Sequence, residues 1–211
     1  DICRVVSFQQ KKDFCIFATA PSMDGFASDT APIVKNNFKE SWQAEQPLVI
    51  IGDTKVLAAA PTELKASGFG DMVAKYPALV DWQVAALLSD EVCCERIAQL
   101  TRTAIDQLMQ MADRVTQNDE ETAGAIFASL LLTGIGMSFA QNSRPASGAE
   151  HIIAHLMECI ELRDGIIPNY HGEDVGVCTL FTLGFYEKLA GMEPITPQED
   201  APDWEDIYRY Y

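Results

Sequence analysis

The chain has 211 residues, 48% of them hydrophobic, with 31 acidic side chains against 15 basic ones. A net charge of −16 argues against nucleic acid or an anionic membrane surface as partner, since both require a basic face. It leaves room for an anionic substrate, because a metal and one or two local cations reverse the field inside a cleft.

In chain order, Asp1 precedes an amphipathic stretch and is placed as the N-cap of a helix over residues 1–10. The apolar run Phe14 to Ala18 has the length of a buried strand and runs into the loop Thr19-Ala20-Pro21-Ser22. Leu48 to Asp53 reads as a second such strand. Between them, Ser28 to Gln43 reads as a helix mixed with an irregular turn or hairpin. From Pro61 the pattern turns helical: Asp71–Leu88, Glu91–Val115, the very apolar Glu120–Ala140, Ser147–Leu162 and His171–Ala190. Gly165 and Pro168 separate the last two. The acidic, Pro-rich segment from Glu193 to Asp206 reads as poorly ordered.

The expected fold class is mainly α: an α/β portion over residues 1–62, with too few strands to stand alone, then a helical domain over 63–211. No apolar run is read as long enough for a membrane span, and no secretory signal is visible. Six cysteines without a C-x-x-C pair suggest reduced thiols in the cytoplasm. Cys93-Cys94 reads as ordinary helix, with a redox pair as the alternative. The first residue is Asp1, so the chain reads as processed or cut from something longer.

All three histidines fall in one window: His151, His155 and His171. His151 and His155 are four apart, so on a helix they share a face. Such clustering points to a site that needs imidazole, with a metal as first candidate. A catalytic zinc takes three protein ligands and keeps one position open. The histidines supply two or three of these. The best complementary carboxylate is Asp71, preceded by Gly68 and Gly70, which let the backbone approach a neighbour closely. A plain helix start with a favourable carboxylate explains Asp71 equally well. Ser147-Gly148, beside Arg144, offers either an anion site at a helix N-terminus or a simple cap. Lys75, one turn after Asp71, either neutralises a substrate anion or pairs at the surface.

Four motifs occur in order: Thr19-Ala20-Pro21-Ser22-Met23-Asp24-Gly25; Gly68 to Lys75 with Tyr76; Arg144-Pro145-Ala146-Ser147-Gly148-Ala149-Glu150-His151; and His171-Gly172-Glu173 with Val175-Gly176. Together, over roughly residues 1–190, they resemble the sn-glycerol-1-phosphate dehydrogenases of the iron-containing alcohol dehydrogenase and dehydroquinate synthase-like superfamily. The resemblance implies reduction of dihydroxyacetone phosphate to sn-glycerol 1-phosphate with NADH or NADPH at a bound zinc, with iron or nickel as alternatives. It implies Asp71, His151 and His171 as metal ligands, and Asp24, Asp71 and His155 as substrate contacts. Asp71 and His155 become the catalytic pair, and Thr19, Ala20, Pro21, Ser22 and Ser28 line the nicotinamide nucleotide. It also implies that residues 1–62 are the remnant of a Rossmann-like domain.

The chain departs from the family pattern in several places. No Gly-rich dinucleotide loop occurs, and the family's further helices after the last motif are missing. Ile152 stands where a second adjacent histidine is common, and Met157 where an aromatic is frequent. These departures suggest a fragment or a shortened paralogue. The expected partner is a small phosphorylated substrate, with a homo-oligomer as a further expectation through the apolar Glu120–Ala140 helix. A glycerol or other metal-dependent alcohol dehydrogenase of the same superfamily, or a catalytically silent helical module, are the alternatives.

Overall fold

The computed structural model describes residues 1–193, so most of the expected acidic tail lies outside the described residues. Helix α1 (Ile2–Gln10) leads into strand β1 (Cys15–Ala18), which pairs in parallel with β4 (Val49–Gly52), Cys15 opposite Val49 and Ala18 opposite Gly52. Phe17, Val49 and Ile51 of this two-stranded ribbon are exposed.

The helix expected within residues 28–43 is absent. The segment is an antiparallel hairpin of β2 (Thr30–Lys35) and β3 (Phe38–Gln43), preceded by one 3-10 turn at Gly25–Ala27. The physical reason is its two-residue connection. Asn36 and Asn37 take φ of 53° and 59°, the left-handed pair of a hairpin turn that matches strand twist, and Asn tolerates that region.

The rest is helical: α2 (Thr54–Ala58) and α3 (Thr62–Val73), which the sequence pattern does not single out, then α4 (Lys75–Leu88), α5 (Glu95–Met109), α6 (Glu120–Ala140), α7 (Ala149–Arg163) and α8 (His171–Ala190). Three expectations need correcting. Asp71 does not begin a helix; it lies in the last turn of α3, and α4 starts afresh at Lys75. Pro77 accounts for the break, because it lacks the N–H that a continuous helix would donate back to Val73. The long helix expected over Glu91–Val115 is α5 followed by a 3-10 turn at Ala112–Arg114, so Cys93 lies in the preceding loop and Cys94 at the N-cap. Finally, α6 has the length and apolarity of a membrane span, with 21 residues and a mean hydropathy of 1.8 in its richest window. Its buried residues include Ala123, Ile126, Phe127 and Leu130, so one face serves the protein interior.

The main core joins α3 to α6 through Met72, Trp82, Ile105, Leu108, Ile126 and Leu130. A second cluster joins β1 and α2 to α6 through Ala18, Leu57, Ala58, Ala123 and Phe127, with Phe26 edge-on to Phe127 at 5.2 Å. A third, of Ala74, Ala154, Val175 and Cys178, seats α7 and α8 against the α3–α4 junction.

Close backbone approach brings α8 and the loop after β1 onto α3. A Cβ on Gly172 would lie 1.9 Å from the Ser67 carbonyl oxygen, and one on Gly68 would lie 1.8 Å from that of Pro21. Both obstacles are backbone, so neither can swing aside. Ser67 stitches the three segments together: its hydroxyl donates to the Ser22 carbonyl at 2.9 Å and accepts the Gly172 N–H at 3.1 Å. Gly172→Ala forces α8 off α3. Thermal unfolding should show a loss of about 1–3 kcal/mol, or roughly 2–12 °C in Tm for a chain of this size; an unchanged melting curve would contradict this packing.

Candidate metal and substrate site

Three helix ends meet beneath the hairpin and the loop after β1. Asp71 comes from the last turn of α3, His151 from the first turn of α7, and His171 opens α8. One donor atom from each lies within 4.8 Å of the others. Asp71 is fully buried and His151 nearly so. The Asp71 carboxylate sits 3.7 Å from His151 Nε2, and the His151 and His171 rings are 5.3 Å apart.

His155, one turn further along α7, stacks on His171 at 5.3 Å with 19° between the rings. Its Nδ1 lies 3.3 Å from Glu158, whose carboxylate also takes the Lys39 ammonium of β3 at 2.6 Å. Half-exposed, His155 stands at the open side of the cluster. With Glu158 it forms a second donor group that shares His171.

Asp24 reaches the same place from the loop after β1. Its backbone N–H donates to Asp71 Oδ2 at 2.9 Å, and its carboxylate lies 2.8 Å from the Lys75 ammonium. Lys75 also binds Asp71 Oδ1. The surface pairing weighed for Lys75 is therefore wrong: its side chain is fully buried, a cation between two carboxylates. The 51-residue separation of Asp24 from Lys75 hides this from spacing rules; only the helical interval between Asp71 and Lys75 hints at it.

The anion site expected at the start of α7 is taken by the protein itself. The Gly148 N–H donates to Glu150 Oε1 and the Ala149 N–H to Asp81 Oδ2, each at 2.7 Å. Arg144 is turned away, its Nε donating to Glu91 at 2.9 Å. The N-cap is Gly148 and not Ser147.

The residues expected to line the nucleotide divide. Thr19 to Ser22 form the loop that Gly68 and Ser67 hold against α3, close to Asp24 and Asp71. Ser28 bonds to Thr30 and lines a cleft of about 790 Å³ with Gln43, Gln46, Ser138 and Asn142. None of Asp71, His151, His155 and His171 lines that cleft. Sequence reasoning passed over Glu150, Asp81 and Ser67. The only sequence signal for Glu150 is an acidic residue directly before His151.

The electrostatics suit a cation. Burial depresses His171 to about 4, against the pull of Asp71, so its imidazole is neutral at ordinary pH. Burial pushes Asp71 up, but the Lys75 ammonium and then the neighbouring imidazoles of His151 and His171 overturn that and hold it below the usual carboxylate range. Burial would lower His151; the nearby carboxylates of Asp71 and Glu150 leave it raised. Burial, and next the charge of Asp71, raise Asp24. A borderline-soft divalent ion suits a carboxylate and two imidazoles, and this donor set fits it.

Comparison with known proteins bears on this geometry. A family profile described as iron-containing alcohol dehydrogenase matches residues 1–61. A glycerol-1-phosphate dehydrogenase [NAD(P)+] of Halalkalibacterium halodurans is 35% identical over all of this chain and 53% of its own length. One of Geobacillus thermodenitrificans is 37% identical, again over the whole chain and 53% of its own length. The chain thus spans about half the length of the curated relatives it matches. Among solved structures, a probable glycerol dehydrogenase from Sinorhizobium meliloti superposes with a TM-score of 0.65 at 21% identity, covering 83% of this chain and 50% of that one. That likeness shows that the two chains share a mainly helical fold over this span. The similarity that its motifs carried is thus matched by glycerol-1-phosphate dehydrogenases along the whole of this chain.

Proposed function

We propose that this chain carries the metal and substrate half of a nicotinamide-linked dehydrogenase acting on a small polyol phosphate. The observation that carries the reading is the convergence of Asp71, His151 and His171 within 4.8 Å at three helix ends. In this reading residues 1–62 belong to the nucleotide side and 63–211 to the metal and substrate side. Asp71, His151 and His171 hold a divalent metal, zinc first, with iron or nickel as alternatives. When bound, such a metal polarises a substrate oxygen and lowers the cost of negative charge there, while a nicotinamide nucleotide supplies the hydride.

The protein's own residues do the rest. Asp24, beside Asp71, and His155, beside His171, orient the substrate hydroxyls. His155, at the open side of the cluster, moves a proton between the substrate oxygen and solvent. The Thr19–Ser22 loop, fixed on α3, presents the nicotinamide, and Ser28 binds the nucleotide beyond it. The relatives' printed names support glycerol 1-phosphate and NAD(P)+ as the reacting pair, and in this reading the reduction runs from dihydroxyacetone phosphate with NADH or NADPH to sn-glycerol 1-phosphate.

A second reading has its own observation. Arg144 is committed to Glu91, and Lys75 is buried beneath Asp24 and Asp71, so neither faces a substrate phosphate. An uncharged polyol or its ketone, as in glycerol dehydrogenases, fits that disposition.

Two measurements follow. The purified chain should hold close to one zinc, and His151→Ala should lose it while circular dichroism shows the fold retained; unchanged metal stoichiometry sinks the ligand assignment. Titration with NADH and NADPH should show submillimolar binding, and the rate of nicotinamide oxidation should favour dihydroxyacetone phosphate over dihydroxyacetone by at least tenfold in kcat/KM. A preference for the unphosphorylated ketone selects the second reading. Zinc retention without any nucleotide binding supports a fragment of a dehydrogenase, and submillimolar binding argues against a silent module.

A further inference from the structure

Glu150 is fully buried, and only one of its oxygens is used. Oε1 accepts the Gly148 N–H and faces His151 Nδ1, each at 2.7 Å. Among the described residues, Oε2 is buried without a partner. An oxygen that already accepts from a backbone amide has acceptor capacity to offer, so the ring nitrogen opposite it carries the hydrogen. That assignment leaves the lone pair of His151 on Nε2, the nitrogen that faces Asp71 at 3.7 Å.

The same region is braced a second time. Asp81, on α4, accepts the Ala149 N–H with one oxygen and the Tyr186 hydroxyl of α8 with the other. The first amides of α7 are thus closed by two carboxylates from inside the protein. One of them, Glu150, also fixes an imidazole.

We infer that Glu150 is a positioning residue for His151: it locks the ring in the Nδ1–H tautomer and aims Nε2 at the space between Asp71 and His171. The start of α7, instead of taking a substrate anion, is used to orient a metal ligand. The inference rests on the metal reading above for its purpose, and on the hydrogen bonds alone for its geometry. A carboxylate behind a ligating histidine fixes ring orientation and raises basicity, and its removal costs about 10–100-fold in metal affinity.

The test uses the whole chain, labelled with nitrogen-15 at its three histidines and held at alkaline pH so that the rings are neutral. His155→Gln assists assignment. In the metal-free wild type, His151 should show a protonated Nδ1 and an unprotonated Nε2. Glu150→Ala should abolish that preference and weaken zinc binding about 10–100-fold by competition titration. Glu150→Gln keeps an oxygen for both donors and should recover most of both signals. Asp81→Asn loosens the helix start without touching the His151 bond and should leave the tautomer unchanged. A wild-type His151 protonated at Nε2 overturns the inference, as does a folded Glu150→Ala chain with wild-type tautomer and affinity. Should Glu150→Ala not fold, the wild-type spectrum and the Glu150→Gln chain still decide it. If the wild type shows the Nδ1–H tautomer yet binds no zinc, the orienting role of Glu150 stands and the metal reading falls.

Discussion

The site is organised around a buried ammonium. Lys75 lies wholly inside the protein, between Asp71 one turn earlier and Asp24 from the loop after β1. Burying any of these charges alone is prohibitive, and breaking such a pair by removing one partner typically costs about 3–5 kcal/mol. The three side chains are therefore mutually obligatory. Their pairing fixes the relative placement of the β1 loop, the end of α3 and the start of α4. It also sets the direction of Asp71: Oδ1 turns toward Lys75 and His151, while Oδ2 accepts the Asp24 amide. The break at Pro77 belongs to the same arrangement, since it ends α3 where the carboxylate is needed and starts α4 where the cation is needed.

Histidines then arrive at fixed positions because helices start there. His151 and His171 occupy the first turns of α7 and α8, where chain direction is set by caps and by backbone contact. At α8, the Ser67 hydroxyl and the missing side chain of Gly172 let the helix start rest directly on α3. At α7, Glu150 and Asp81 close the free amides. The imidazoles are thus held by main-chain geometry, which is stiffer than side-chain packing and suits a site that must keep its shape.

Much of this was legible in the residues. The histidine window marked the candidate site, the long uninterrupted stretches Glu120–Ala140 and His171–Ala190 located α6 and α8, and the short apolar runs located β1 and β4. What escaped depended on long-range partners or special backbone angles. The Asn36-Asn37 pair carried a hairpin signal, yet the β-branched residues around it were read as partly helical. Lys75 looked like a surface residue because its decisive partner, Asp24, lies on another element. Arg144 looked like a phosphate ligand because Glu91 lies on a distant loop. A helix N-terminus looked free for the same reason: the carboxylates that fill it are visible only once α4 and α7 are packed together.

The parallel ribbon of β1 and β4 has a different import. Two strands leave two outer rows of amides and carbonyls, and among the described residues no further strand pairs with either. Phe17, Val49 and Ile51 add apolar surface to those rows. Parallel sheets are normally shielded on both faces, and an unshielded strand edge recruits foreign strands. Handled by itself, this chain has a built-in route to self-association through main-chain pairing, independent of anything that happens at the histidines.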